Sequence, residues 1–174
     1  MKQDKDARDS VRKKLQVGKL REEVNNMLWT PCFFNDVVGI KNALKRGANI
    51  NATDSDGNTA LHLCAERGFV DALEFILRHC KCKLNAKNKM GSTALHMACR
   101  GKKGFSRPGL SKYSVADSNH RGQAKHFVNN ERPKLVELLL WAGADCHIKD
   151  MLGAQPLHVA CYYGNEEIIT VLVQ

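Results

Sequence analysis

"GNTALHLCAERGFVDALEFIL", residues 57–77, contains two short apolar patterns separated by a glycine. In the first, Leu61, Cys64 and Ala65 fall at i, i+3 and i+4 and share one face of a helix. Thr59 stands where a side-chain oxygen caps a helix start. Gly68 stands where a positive φ ends one, as does Gly164 later in the chain. In the second pattern Ala72, Leu73, Ile76 and Leu77 line one face. Two helices this short cannot bury such stripes alone, so the pair needs neighbours of its own kind.

The sequence supplies them. "GSTALHMAC" (91–99) and "GAQPLHVACYYGN" (153–165) repeat the first pattern, and Thr93 repeats the cap. "LLLWAGAD" (138–145), inside "ERPKLVELLLWAGADCHIKD" (131–150), matches the second half of the unit. An earlier partial copy reads "FFNDVVGIKNALKRGANINATD" (33–54). Gly57, Gly91 and Gly153 align, as do Leu61, Leu95 and Leu157, and His62, His96 and His158. The first two glycines are 34 positions apart and the next two 62. The second interval therefore carries a long insert.

These residues and motifs resemble the ankyrin-repeat family, whose 33-residue unit carries T-P-L-H, G-H and G-A-D elements. The resemblance covers roughly residues 28–174 outside the insert. It implies an all-α fold: an ankyrin-type solenoid of helix-turn-helix repeats with short β-hairpin or turn connections. About four repeats are expected. Residues 1–27 form a basic, amphipathic helical segment and 28–51 a degenerate first repeat. Residues 52–85 form the second, 86–147 the third with its insert at about 101–130, and 148–174 a truncated fourth. The second unit's extra residue falls in "RHCKCKLN" (78–85), where the usual G-A-D is missing. The segments from Asp54 to Gly57, Asn88 to Gly91 and Asp150 to Gly153 are turn chemistry and are expected to form projecting tips.

Both ends are irregular. Val11, Leu15, Leu20, Val24, Met27 and Leu28 give a loose helical pattern with Gly18 inside it. This reads as a helix that caps the stack or leads into the first repeat. Pro31 falls in that repeat's first helix, which is expected to be shifted, short or kinked. "NEEIITVLVQ" (165–174) stops inside a second helix, which suggests a monomeric fragment of a longer chain.

Composition narrows the class. The 174 residues are 43% hydrophobic and 26% charged, the balance of a folded domain and not of a disordered chain. No apolar run approaches the roughly 18 residues of a membrane span. The N-terminus has no apolar core of a secretory signal. Seven cysteines scattered through helix-like segments point to reduced thiols, and so to an intracellular protein, cytoplasmic and/or nuclear. The net charge of +9 is unevenly placed. Residues 1–23 hold eight Lys/Arg against five Asp/Glu, and residues 102–132 hold seven against two. The repeats themselves are nearly neutral.

Candidate chemistry is sparse. His62, His96 and His158 invite a metal or catalytic reading. Their recurrence in step with the repeat instead fits a structural histidine bonded to backbone between hairpins, as the resemblance implies. Gly57, Gly91 and Gly153 belong to the same structural set. His79, Cys80 and Cys82 offer soft ligands, but C-x-C is tighter than the usual zinc pair and no second pair is near. "GKK" (101–103) lacks the flanking residues of a phosphate-binding loop. No catalytic residue, metal or cofactor is expected. Asn51 and Asn85 occupy the position at which some ankyrin proteins are reported to be hydroxylated, and are expected to serve local turn hydrogen bonding.

What remains is surface. In ankyrin-like proteins partners dock on the concave face made of tips and first helices. Carried over position by position, this gives Asp56, Asn58, Glu66, Arg67 and Phe69 in one repeat and Met90, Ser92 and Arg100 in the next. The last repeat gives Met151, Leu152, Tyr162 and Tyr163. The apolar ones among them fit an interface, where aromatic residues concentrate binding energy. Trp141 is expected to pack against the insert or a hairpin. The insert, "RGKKGFSRPGLSKYSVADSNHRGQAKHFVNNERP" (100–133), carries Lys102, Lys103, Arg107, Lys112, Arg121 and Lys125. Its apolar residues are too few for a core. Loops this long are functional or disordered, and loop-closure cost grows slowly enough for a stack to tolerate one. Two functions are therefore expected. The first is a non-catalytic scaffold or adaptor that binds another protein through the concave face, extended by the insert. The second is an anion-binding module contacting nucleic acid or acidic lipid through the insert and the basic N-terminus.

Overall fold

The structure is a computed structural model that describes residues 2–100 and 131–174. The six basic insert residues lie outside the described residues. Eight helices are present among the described residues, and no strand. They are α1 (Lys2–Phe33), α2 (Val37–Lys45), α3 (Ala60–Arg67), α4 (Val70–His79), α5 (Ala94–Cys99), α6 (Arg132–Trp141), α7 (Pro156–Tyr162) and α8 (Glu166–Val173).

The helices stack in two rows. In the first row α1 packs on α3, α3 on α5 and α5 on α7; in the second α2 packs on α4, α4 on α6 and α6 on α8. This is the helix-turn-helix solenoid that the repeated sequence implies. The stripes become its core: Leu61, Cys64 and Ala65 of α3 are buried, as are Leu95, Ala98 and Cys99 of α5. Leu73 and Ile76 of α4 and Leu135, Val136 and Leu139 of α6 do the same in the second row. Each fully buried Leu or Ile contributes about 1.5–3 kcal/mol relative to exposure.

Helix α1 runs unbroken across residues 27 and 28 and holds Pro31 inside it. Proline removes one helical N–H. Here it falls in the last turn, where its own carbonyl accepts the N–H of Phe34 (3.2 Å) and of Asp36 (3.0 Å) as the chain turns. Leu28 and Cys32 are buried and Val24 packs against them, an i, i+4, i+8 stripe. Leu20 and Met27 of the expected pattern are exposed: Met27 lies off that stripe, and Leu20 extends it one turn before its buried part begins.

The tips share one construction. The Asp54 carboxylate accepts the N–H of Asp56 (2.9 Å) and Asn58 (2.8 Å). The Asn88 amide oxygen accepts those of Met90 and Ser92 (both 3.0 Å). The Asp150 carboxylate accepts those of Leu152 and Ala154 (both 2.9 Å). Successive tips then join: Lys89 N–H donates to Asp56 O (3.0 Å) and Met151 N–H to Met90 O (3.1 Å). Glycine is required beneath these bonds. Gly91 has φ +70, and a Cβ there would stand 2.8 Å from the Met151 nitrogen.

The histidines bind the stack from within. His62 and His96 stand at the third position of α3 and α5, where their Nδ1 atoms accept the N–H of Thr59 and Thr93 (both 3.2 Å). Nδ1 therefore carries no proton, and Nε2–H donates across the repeat boundary. His62 reaches Ser92 O and His96 reaches Ala154 O, both at 3.0 Å. Burial, the largest influence, lowers both imidazole pKa values and keeps them neutral. His158 accepts the Gln155 N–H (3.2 Å) in the same way, but its ring is exposed.

The chain leaving the insert is fastened where α6 begins. Arg132 Nη2 donates to Glu66 O (2.8 Å) and Nη1 points at Ala98 O (3.5 Å). These carbonyls lie in the last turns of α3 and α5, where helices present unsatisfied acceptors.

Several expectations need correction. Asn51 and Asn85 serve the stack and not a local turn. Asn51 takes the Lys83 N–H and donates to Lys81 O (3.0 Å), and Asn85 accepts the Asp145 N–H (3.0 Å). Trp141 is 86% exposed and packs on no hairpin among the described residues, while the insert, its other expected neighbour, lies outside them. Trp141 sits two residues past buried Leu139, which places it on the opposite side of α6. Asn58 and Ser92, carried over as concave-face positions, are buried in the tips.

Candidate partner-binding cleft

A cleft of about 320 Å³ opens between the last two repeats, on the side formed by tips and first-row helices. The third repeat contributes Met90 from its tip and Arg100 from the end of α5. The fourth contributes Leu152 from its tip and Val159, Tyr162 and Tyr163 from α7 and its end. Asp150, Ala154 and His158 complete the wall.

The repeat explains how these side chains meet. Met90 and Leu152 both precede the tip glycine, so both project from the edge. Arg100 and Tyr162 occupy one register position at the end of their helices, one repeat apart. Tyr162 is 70% and Leu152 69% exposed. The Tyr162 and Tyr163 rings meet edge to face with centroids 5.2 Å apart, an arrangement that favours fixed rings.

The cleft thus unites Met90, Arg100, Leu152, Tyr162 and Tyr163. The other three candidates lie elsewhere. Arg67 sits over the Phe33 ring, 4.8 Å from its centroid. Phe69 is half-buried and packs against the core. Met151 is exposed beside the cleft but does not line it. Sequence reasoning missed Val159, whose equivalents Leu63 and Met97 are buried. It also assigned His158 a purely structural role.

The charges are unequal in their freedom. Asp150 spends one carboxylate oxygen on two tip N–H groups. Arg100 is half-buried, and its guanidinium takes part in no ion pair or hydrogen bond among the described residues. Lys87, Lys89 and Lys149 surround the tips.

Cys80, Cys82 and Cys99 are held as protonated thiols. None of the seven cysteines is in a disulfide. Burial pushes the Cys99 thiol up to about 12 and raises Cys80 and Cys82 as well, which holds them as unreactive thiols. His79 stacks on Phe75 with centroids 4.8 Å apart, and its Nδ1 lies 3.1 Å from Phe75 O. It is turned to its own helix. Among the described residues no group of three or more His, Cys, Asp or Glu is placed to hold a metal. No helix among them is long and apolar enough to cross a membrane.

Comparison with known proteins matches these repeats. A family model of three ankyrin repeats fits residues 32–106, and a single ankyrin-repeat model fits residues 152–174. Together they span more than half of the chain. The chain belongs to the ankyrin-repeat family. Among its relatives is a Rickettsia bellii (strain RML369-C) protein described as an ankyrin repeat protein, 27% identical over 143 residues. That match covers 82% of this chain and 63% of the relative. The nuclear factor NF-kappa-B p105 subunit of Gallus gallus is 30% identical over 141 residues, 76% of this chain and 14% of its own. The NF-kappa-B inhibitor zeta of Homo sapiens is 27% identical over 149 residues, 78% of this chain and 19% of its own. The chain thus spans less than two thirds of the length of each of these relatives. Ankyrin repeats are in general protein–protein interaction modules, and the family is generally non-catalytic.

Proposed function

We propose that this chain is a non-catalytic scaffold or adaptor that binds a partner protein in the cleft between its third and fourth ankyrin repeats. The observation that supports this most is the clustering of Leu152, Tyr162 and Tyr163 beside Met90, outside the core and in one concavity. Exposed aromatic and aliphatic groups cost solubility, and gathered in one place they mark an interface. A protein partner also suits the nearly neutral repeat surface better than a polyanion does.

The test is affinity capture with the whole chain and three variants. Leu152→Glu and Tyr162→Glu place charge in the cleft; Trp141→Glu does the same at an equally exposed apolar residue of the second row. Proteins retained by the native chain should be lost with the two cleft variants and kept with Trp141→Glu. The opposite pattern refutes the cleft. Retention that collapses with modest salt whichever variant is used favours the anion-binding alternative.

A further inference from the structure

The concave positions change character along the stack. In the second repeat they are Asp56, Glu66 and Arg67; in the third, Met90 and Arg100; in the fourth, Leu152, Tyr162 and Tyr163. Polarity thus runs from charged, through a single cation, to aromatic. The cleft lies across the last step. Its volume of about 320 Å³ is at the small end of the range for ligand sites and is enough for one large side chain. One wall is apolar, and the other carries Arg100.

Arg100 sets the chemistry of the second contact. A half-buried arginine next to apolar side chains, with no ion pair among the described residues, gains most from a carboxylate, which its guanidinium grips through two parallel hydrogen bonds. Asp150 does not fill that role, because it forms no ion pair with Arg100 and its Oδ1 accepts two backbone N–H groups. Lys87 and Lys89 on the third tip and Lys149 beside the fourth add to the positive field. Packed helices stand about 8–10 Å apart. An extended chain advances about 3.3 Å per residue, so about three residues carry it from one repeat to the next.

Resting on the cleft reading above, we infer that the partner segment is an extended peptide that seats a large apolar side chain on Leu152 and Tyr162 and places an Asp or Glu, about three residues away, on Arg100. The apolar residue supplies burial and the carboxylate fixes direction. A purely acidic segment would leave the aromatic wall uncovered, and a purely apolar one would leave the guanidinium desolvated without a partner.

A phage-displayed library of random peptides, selected against the whole chain, tests this. Peptides enriched on the native chain should pair an aromatic or large aliphatic residue with Asp or Glu about three positions off. Changing that acid to its amide should weaken binding at least tenfold. Selection against Arg100→Glu should keep the apolar residue and replace the acid with Lys or Arg, while Arg100→Ala should lose the preference without reversing it. Thermal melting checks that both variants remain folded. Peptides that need Tyr162 but show no acidic preference, or one that Arg100→Glu leaves unchanged, overturn the inference and leave the cleft reading standing. Enriched peptides indifferent to both Tyr162→Ala and Leu152→Ser overturn both readings. No enrichment over the bare support overturns the peptide inference, because a preformed cleft of this kind should select a short linear ligand.

Discussion

At the scale of the residue, the histidine ladder ties one repeat to the next. His62 has its Nδ1 occupied by Thr59 and its Nε2–H given to Ser92 O, so the ring is useful only in its neutral form. Its pKa and that of His96 lie below the ordinary 6.5, chiefly because burial penalises the cation. A depressed folded-state value means that the unfolded chain takes up the proton first. The stabilisation is therefore complete above about pH 6.5 and is lost as pH falls through the folded values. Melting temperature should hold steady between pH 7 and 8 and decline on acidification below about 6.5. His62→Ala should cost about 1–3 kcal/mol at neutral pH, by leaving a buried carbonyl unpaired, and should flatten the acid decline. Denaturant titration across pH measures both. That these histidines are structural was legible from their period; that they bond backbone between hairpins is what the family resemblance implies. The reach of Asn51 and Asn85 was not legible, because a side chain in a turn looks the same whether it bonds its own loop or the next.

At the scale of the element, each tip is positioned by a neighbouring tip. Gly91 and Gly153 share nearly the same positive φ, +70 and +74. A Cβ at Gly91 would meet the Met151 backbone at 2.8 Å, whereas at Gly153 nothing lies within 4 Å. Alanine at either site pays the backbone cost of about 1–2 kcal/mol. Only Gly91→Ala must also push a tip aside, so it should be the more destabilising of the two by chemical denaturation. The second-row helix after the insert has its own fastening. Arg132→Ala removes a charged donor from Glu66 O and should cost about 1.5–3 kcal/mol. Lysine cannot reproduce the planar fork and should restore only part of the loss. Helix boundaries near Pro31 were harder to read, because a proline in the last turn of a helix gives the same sequence signal as one that breaks it.

At the scale of the whole molecule, two rows of helices make two different surfaces from one repeat. The repeated apolar stripes named the fold without ambiguity, since only stacking buries them. The cleft was partly legible: the docking face that the family resemblance implies, carried over by register, selected Met90, Arg100, Leu152, Tyr162 and Tyr163. Register could not separate them from Phe69 and Arg67, which occupy comparable positions but spend their side chains on the core and on Phe33. Nor could it show that Val159 opens to the cleft. The central claim is that this chain engages its partner with the tips and first row and not with the second row. The most direct measurement is amide hydrogen exchange of the whole chain with and without a captured partner. Slowed exchange is expected in the tips around Met90 and Leu152, at Arg100 and in α7 through Tyr163, with α4, α6 and α8 unchanged. Protection confined to α4, α6 and α8 would contradict it.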